Sequence, residues 1–259
     1  MSVDWQEMHK EMFPTKDYAA LSQRWRDAFA YAFVRQVYNF SMAESVVYTQ
    51  RLLGEDLRQR YTEYCQQLVE TFNQFERVGV SDIIDLIQCV DTREQFESFV
   101  NQVNLPAKNV MRVLKYLIYW VIPSKKYLSG LVIKDTPNVA AVKILGSLGI
   151  RTNLELLQKG LTPAGRKALA EAGALPSEQV DECTHLADFS RLPWASKATI
   201  SNIIRSGYGS IAQLANADPE QLVQDFFNYG ASIGKNLKFG NEIESSYRIA
   251  KIIPLVLVE

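Results

Sequence analysis

A block of sequence returns seventy residues after its first appearance, and that return constrains the fold more than any single motif. Residues 79–110 lie over residues 149–180 without a gap. The matches are Gly79/Gly149, Leu86/Leu156, Gln88/Gln158, Thr92/Thr162, Leu105/Leu175, Pro106/Pro176 and Val110/Val180. At the same offset Ile122-Pro123 meets Leu192-Pro193, and a shorter echo begins at Gly207-Tyr208 with Leu214 in the place of Leu86 and Leu156. A fixed period means one small unit used several times, each copy burying its apolar face against the next. Duplication accounts for the gapless register and the matched prolines better than chance similarity among short amphipathic helices.

Each copy reads as short helices joined by tight turns. A glycine opens it, where the left-handed backbone at a helix end suits a residue without a side chain. A short helix follows, carrying Ile84/Leu86/Ile87, Leu154/Leu156/Leu157 or Ile211/Leu214. Caps come next at Thr92-Arg93-Glu94-Gln95, Thr162-Pro163-Ala164-Gly165 and Asp218-Pro219-Glu220-Gln221, two of them with proline in the first helical turn. A second helix ends near Leu105-Pro106 and Leu175-Pro176.

Upstream, residues 17–38 place Leu21, Trp25, Phe29 and Phe33 at helical spacing and predict one helix. Ser41-Met42-Ala43-Glu44 has capping-box spacing and predicts a helix to about Leu53, stopped by Gly54. Leu57, Tyr61, Tyr64, Leu68 and Phe72 predict another to about Val78. Residues 130–133 and 252–258 are short apolar pieces that could be extended, pairing with each other or, for the tail, docking on another subunit. Pro254 confines the tail to an edge position. The expectation is an all-α chain with an N-terminal helical region over 1–78, a first repeat over 79–140, and second and third repeats with a C-terminal tail over 141–259.

With 259 residues, 47% hydrophobic and 22% charged, the composition is that of a globular protein with a proper core. The most apolar stretch, Val113 to Val121, is interrupted by Lys115 and too short to span a bilayer, and no cleavable leader is read, so no membrane is expected. Cys65, Cys89 and Cys183 are few, odd in number and widely spaced, which suits a reducing, cytoplasmic compartment. The net charge of −1 conceals a segregation. Residues 1–104 carry ten Lys/Arg against sixteen Asp/Glu, whereas residues 105–151 carry eight against Asp135 alone. Such a basic segment signals a surface with a preferred kind of partner.

Residues 142–152 carry a leucine-glycine-isoleucine turn, followed by Leu154-Glu155-Leu156-Leu157; residues 161–169 carry a threonine-proline-glycine-arginine hairpin, and residues 185–193 a later leucine-proline hairpin. This pattern resembles a family of tandem helix-hairpin-helix repeat proteins catalogued as a domain of unknown function. The resemblance covers about residues 142–226 and weakens over 79–123. It implies repeated helical hairpins, and helix-hairpin-helix units in general hold nucleic-acid backbone without reading sequence, through glycine-bearing hairpins whose amides face a phosphate. The hairpins after Ile122-Pro123 and Leu192-Pro193 carry no glycine, so side-chain cations are the groups expected to meet phosphate here.

Lys108, Arg112, Lys115 and Tyr119 step by four, three and four along the helix after Pro106 and share one face, away from Val110, Val113, Leu114, Leu117 and Val121. Such a row can track a phosphate backbone, with Tyr119 stacking on a base. Lys125 and Lys126 would extend it, and Arg166, Lys167 and Lys197 would support it. The function expected is sequence-independent nucleic-acid binding, to DNA in preference to RNA. The alternative for these cations is a patch that answers the acidic N-terminal region within the same molecule. The alternative function is a protein-protein adaptor, with Trp194 at a hairpin tip as an interaction anchor and the Trp25, Phe29, Phe33 stripe as core or as an oligomer interface. No enzyme, cofactor or metal site is expected. His9 and His185 are the histidines of the chain, and neither joins a nucleophile or a ligand set at suitable spacing. The segment Gly230-Ala231-Ser232-Ile233-Gly234-Lys235-Asn236 lacks the ending of a phosphate loop and reads as a turn.

Overall fold

The structure, a computed structural model, describes residues 3–54, 59–133, 136–193, 195–237 and 240–258. It is all α, with seventeen α-helices and no strand among the described residues. By contact the chain divides into two compact units, Met1–Ser124 and Lys125–Glu259. That boundary falls inside the segment 79–140 that the period alone suggested as a repeat.

The first unit opens with α1 (Trp5–Met12), capped by the Asp4 carboxylate, which accepts from the amides of Gln6 and Glu7. The stretch 17–38 is two helices rather than one, α2 (Tyr18–Phe29) and α3 (Ala32–Tyr38). No glycine or proline marks the break. It is made by Tyr31 taking extended backbone and by the Arg35 guanidinium, which captures the carbonyls of Phe29 and Ala30 at 2.6 and 3.0 Å. Next comes α4 (Met42–Leu53), whose Ser41/Glu44 capping box closes in both directions, and then α5 (Gln59–Arg77). The unit ends with α6 (Ile83–Cys89), α7 (Arg93–Val103) and α8 (Ala107–Tyr116), the last running into a π-helical turn at Leu117–Val121. Trp25, Phe72, Phe75, Phe96 and Tyr116 fill the core. Of the aromatic stripe, Trp25 and Phe33 are buried and Phe29 is half-buried.

The second unit holds α9 (Leu128–Leu131), α10 (Pro137–Ser147), α11 (Asn153–Gly160), α12 (Pro163–Gly173) and α13 (Ser177–Phe189), followed by α14 (Lys197–Arg205), α15 (Ile211–Ala215), α16 (Pro219–Ser232) and α17 (Asn241–Ala250). Neither apolar piece forms a strand. Residues 128–131 make the single turn α9, and the tail runs out along the second unit, with the Val258 amide donating to the Leu161 carbonyl at 2.9 Å.

Several local backbone features stand in pairs seventy residues apart. Gly79 and Gly149 both hold positive φ, +94° and +79°, where a side chain would be strained. Asp82 and Thr152 cap α6 and α11, and Thr92 and Thr162 cap α7 and α12. Asn104 and Ala174 end the following helices in left-handed conformation, and Pro106 and Pro176 lead α8 and α13. The correspondence also reaches upstream of Gly79. In the first unit the Met42 amide donates to Ser81 and the Ile83 amide to Phe40, and in the second the Leu128 amide donates to Arg151 and the Asn153 amide to Lys126. An asparagine carboxamide locks each junction: Asn39 accepts from the Ile84 amide and Asn153 from the Lys126 amide.

Candidate nucleic-acid interface

Lys108, Arg112 and Lys115 lie on α8 and Tyr119 in the π turn that follows, with Val110, Val113 and Leu114 turned into the core and Leu117 and Val121 buried in the π turn. What faces the row is α1. The Glu11 carboxylate sits 3.4 Å from both Nε and Nη2 of Arg112, and the Glu11 backbone carbonyl accepts from Lys115 Nζ at 3.0 Å. Gln67 Oε1 takes a further guanidinium hydrogen bond at 2.9 Å. Burial lowers the pKa of the Lys115 ammonium, opposed by Glu11 and assisted by Arg112. At the end of the row the Tyr119 hydroxyl shares a 2.8 Å hydrogen bond with Thr15. The Arg24 guanidinium lies 4.6 Å from the centre of the Tyr119 ring, the face a base would need. Lys108 alone of these four is exposed.

In the second unit the cations also differ among themselves. Lys125 is exposed, and its charge helps hold the Glu155 carboxyl below the usual range. Lys126 turns inward: Nζ donates to the Ser190 carbonyl at 2.6 Å, and burial lowers its pKa. Arg166 is buried at 8% exposure. Its Nε meets Asp181 at 2.6 Å, and its two terminal nitrogens donate to the carbonyls of Gly160 and Val258. Gly165, one position earlier, serves packing: a Cβ there would stand 2.2 Å from the Lys159 carbonyl oxygen. Lys167 is exposed beside Glu171 at 3.9 Å, and Lys197 is half-buried at the start of α14. Trp194 lies outside the described residues.

Five of the nine residues read from the sequence as a nucleic-acid surface, Arg112, Lys115, Tyr119, Lys126 and Arg166, are therefore engaged within the fold. Helical spacing identifies which residues share a face but not what lies across it. Charge segregation had offered an internal acidic partner, and Glu11 is that partner.

Sequence could not supply two arrangements. One is the buried pair Asp188–Arg191, whose Nε–Oδ1 distance is 2.7 Å and whose Arg191 also donates to the Pro254 carbonyl. The other is a cavity of about 450 Å³ walled by α13, α14 and the starts of α10 and α15. Among the described residues no group of three or more His, Cys, Asp or Glu side chains is placed to hold a metal, and no helix is long and apolar enough to cross a membrane. Cys65, Cys89 and Cys183 are free thiols.

Over residues 138–236, from α10 to the turn after α16, the chain matches a family model described as a domain of unknown function (DUF4332). No curated protein and no solved structure matches the chain.

Proposed function

We propose that this chain is a non-catalytic, cytoplasmic binding module, built of helix-hairpin-helix-type repeats, that engages a protein partner. The observation that carries the proposal is Glu11, which accepts from both Arg112 and Lys115 and so occupies the cationic face that a phosphate backbone would need. Supporting the repeat assignment, caps, left-handed residues and leading prolines recur at one seventy-residue offset. Large side chains stand ready for apolar contact, Tyr127 at 68% exposure and Phe227 at 43%. A second reading, binding of a nucleic-acid backbone, keeps Lys108 in the first unit and Lys125 and Lys167 in the second as exposed cations, with Lys197 half-buried.

Titration of labelled duplex DNA, single-stranded DNA and RNA at low salt separates the two. The protein-partner reading expects weak binding that is unchanged when Lys115 is replaced by glutamine. Tight binding that falls steeply with added salt, and disappears when Lys108, Lys125, Lys167 and Lys197 are reversed to glutamate, would transfer the function to nucleic acid. On the protein-partner reading, affinity capture should retain a partner on the wild-type chain and lose it on Tyr127→Ala or Trp194→Ala.

A further inference from the structure

The cavity in the second unit has two polar atoms with no partner among the described residues. Asn138 Oδ1, near the start of α10, and His185 Nδ1, on α13, are both buried from solvent and make no hydrogen bond among the described residues. Both residues line the same cavity, whose remaining wall includes Leu131, Leu186 and Ile204. Its volume of about 450 Å³ falls within the range of roughly 300–1,000 Å³ common for small-molecule sites, which are apolar pockets with a few convergent polar groups. Leaving a buried acceptor unpaired is costly, and a cavity with this lining lets a ligand relieve that cost.

We propose that this cavity binds a small, uncharged, mostly apolar molecule carrying one hydroxyl group. The apolar body lies against Leu131, Leu186 and Ile204. The hydroxyl donates to Asn138 Oδ1, which can only accept, and takes a hydrogen bond from or gives one to His185 Nδ1, which serves in either sense according to its tautomer. Charged molecules are disfavoured because an ionic group held against Leu131, Leu186 and Ile204 would leave water without a partner to replace it. The site is independent of the protein-partner reading, since neither Tyr127 nor Phe227 lines it.

The test uses two probes that differ by one hydroxyl, 4-butylphenol and butylbenzene, titrated into the full chain while its amide NMR spectrum is followed. Both should shift the resonances of Leu131, Leu186 and Ile204 saturably, with the phenol binding about fivefold more tightly, the scale of one buried hydrogen bond. His185→Leu and Asn138→Leu should each remove most of that preference while leaving butylbenzene binding in place. Ser201→Phe, from a residue on the same wall, should block both probes. Shifts spread without saturation, no shift at the cavity residues, or equal affinity of the two probes for the wild-type chain would each overturn the proposal. If His185→Leu fails to fold, the Asn138→Leu variant and the probe comparison on the wild-type chain still decide it.

Discussion

Arg166 and Arg191 are cations by composition and structural members by position. Arg191 is fully buried against Asp188, and the pair holds the extended tail through the Pro254 carbonyl. Two charges removed from water are tolerable only when each satisfies the other, so removing one is expensive. Asp188→Ala should cost about 3 kcal/mol of stability, read as a lower urea midpoint at unchanged slope. The surface pair of Arg26 and Asp91 makes the contrast. Its geometry is bidentate at 2.8 Å, yet the side chains stay 46% and 33% exposed, so its loss should register far less.

At the scale of elements, the punctuation of the chain was legible and the packing partners were not. Ser41, Thr92, Thr162 and Asp218 cap helices where their spacing placed them, and Gly79, Gly149 and Gly207 take left-handed backbone at helix ends. These are local signals, set within four or five residues. The break between α2 and α3 was illegible because a side chain, not a glycine or proline, makes it. Of the extended piece expected at residues 130–133, residues 130 and 131 close α9 and Val132 is extended; the Leu128 amide at the start of the turn is held by the Arg151 carbonyl, a non-local contact that spacing cannot reveal. For the basic row, charge segregation gives an acidic N-terminal partner as the alternative to nucleic acid, but spacing alone cannot pick out Glu11, which lies about a hundred residues away in sequence. At Thr152 the local and the non-local meet, since it caps α11 and is fully embedded in the junction with Tyr127. Thr152→Ala should therefore cost more than the roughly 1 kcal/mol of an exposed cap, whereas Thr92→Ala, exposed, should stay near that value. Parallel denaturation of the two variants measures the difference.

For the molecule as a whole, burial of ionisable groups sets an alkaline limit. Burial, with a smaller contribution from Glu182, pushes the Cys183 thiol from 9.0 up to about 12. Burial likewise raises the Tyr18 and Tyr64 hydroxyls above their ordinary 10.0. In the unfolded chain these groups shed protons as the pH passes their ordinary values, while in the folded chain they keep them. The unfolded state then binds fewer protons, so stability falls as pH rises. The stabilising contribution is complete below pH 9 and declines from there toward pH 12. Cys183→Ala should flatten the first part of that decline in a series of urea midpoints taken against pH.

The distinction between cations spent inside the fold and cations left on the surface can be read directly by timed lysine acetylation with mass spectrometry. Lys115 and Lys126, whose ammonium groups donate to the Glu11 and Ser190 carbonyls, should react slowly, and Lys108, Lys125 and Lys167 quickly. Equal rates at all five would mean that the row on α8 is open, and would return it to the nucleic-acid backbone.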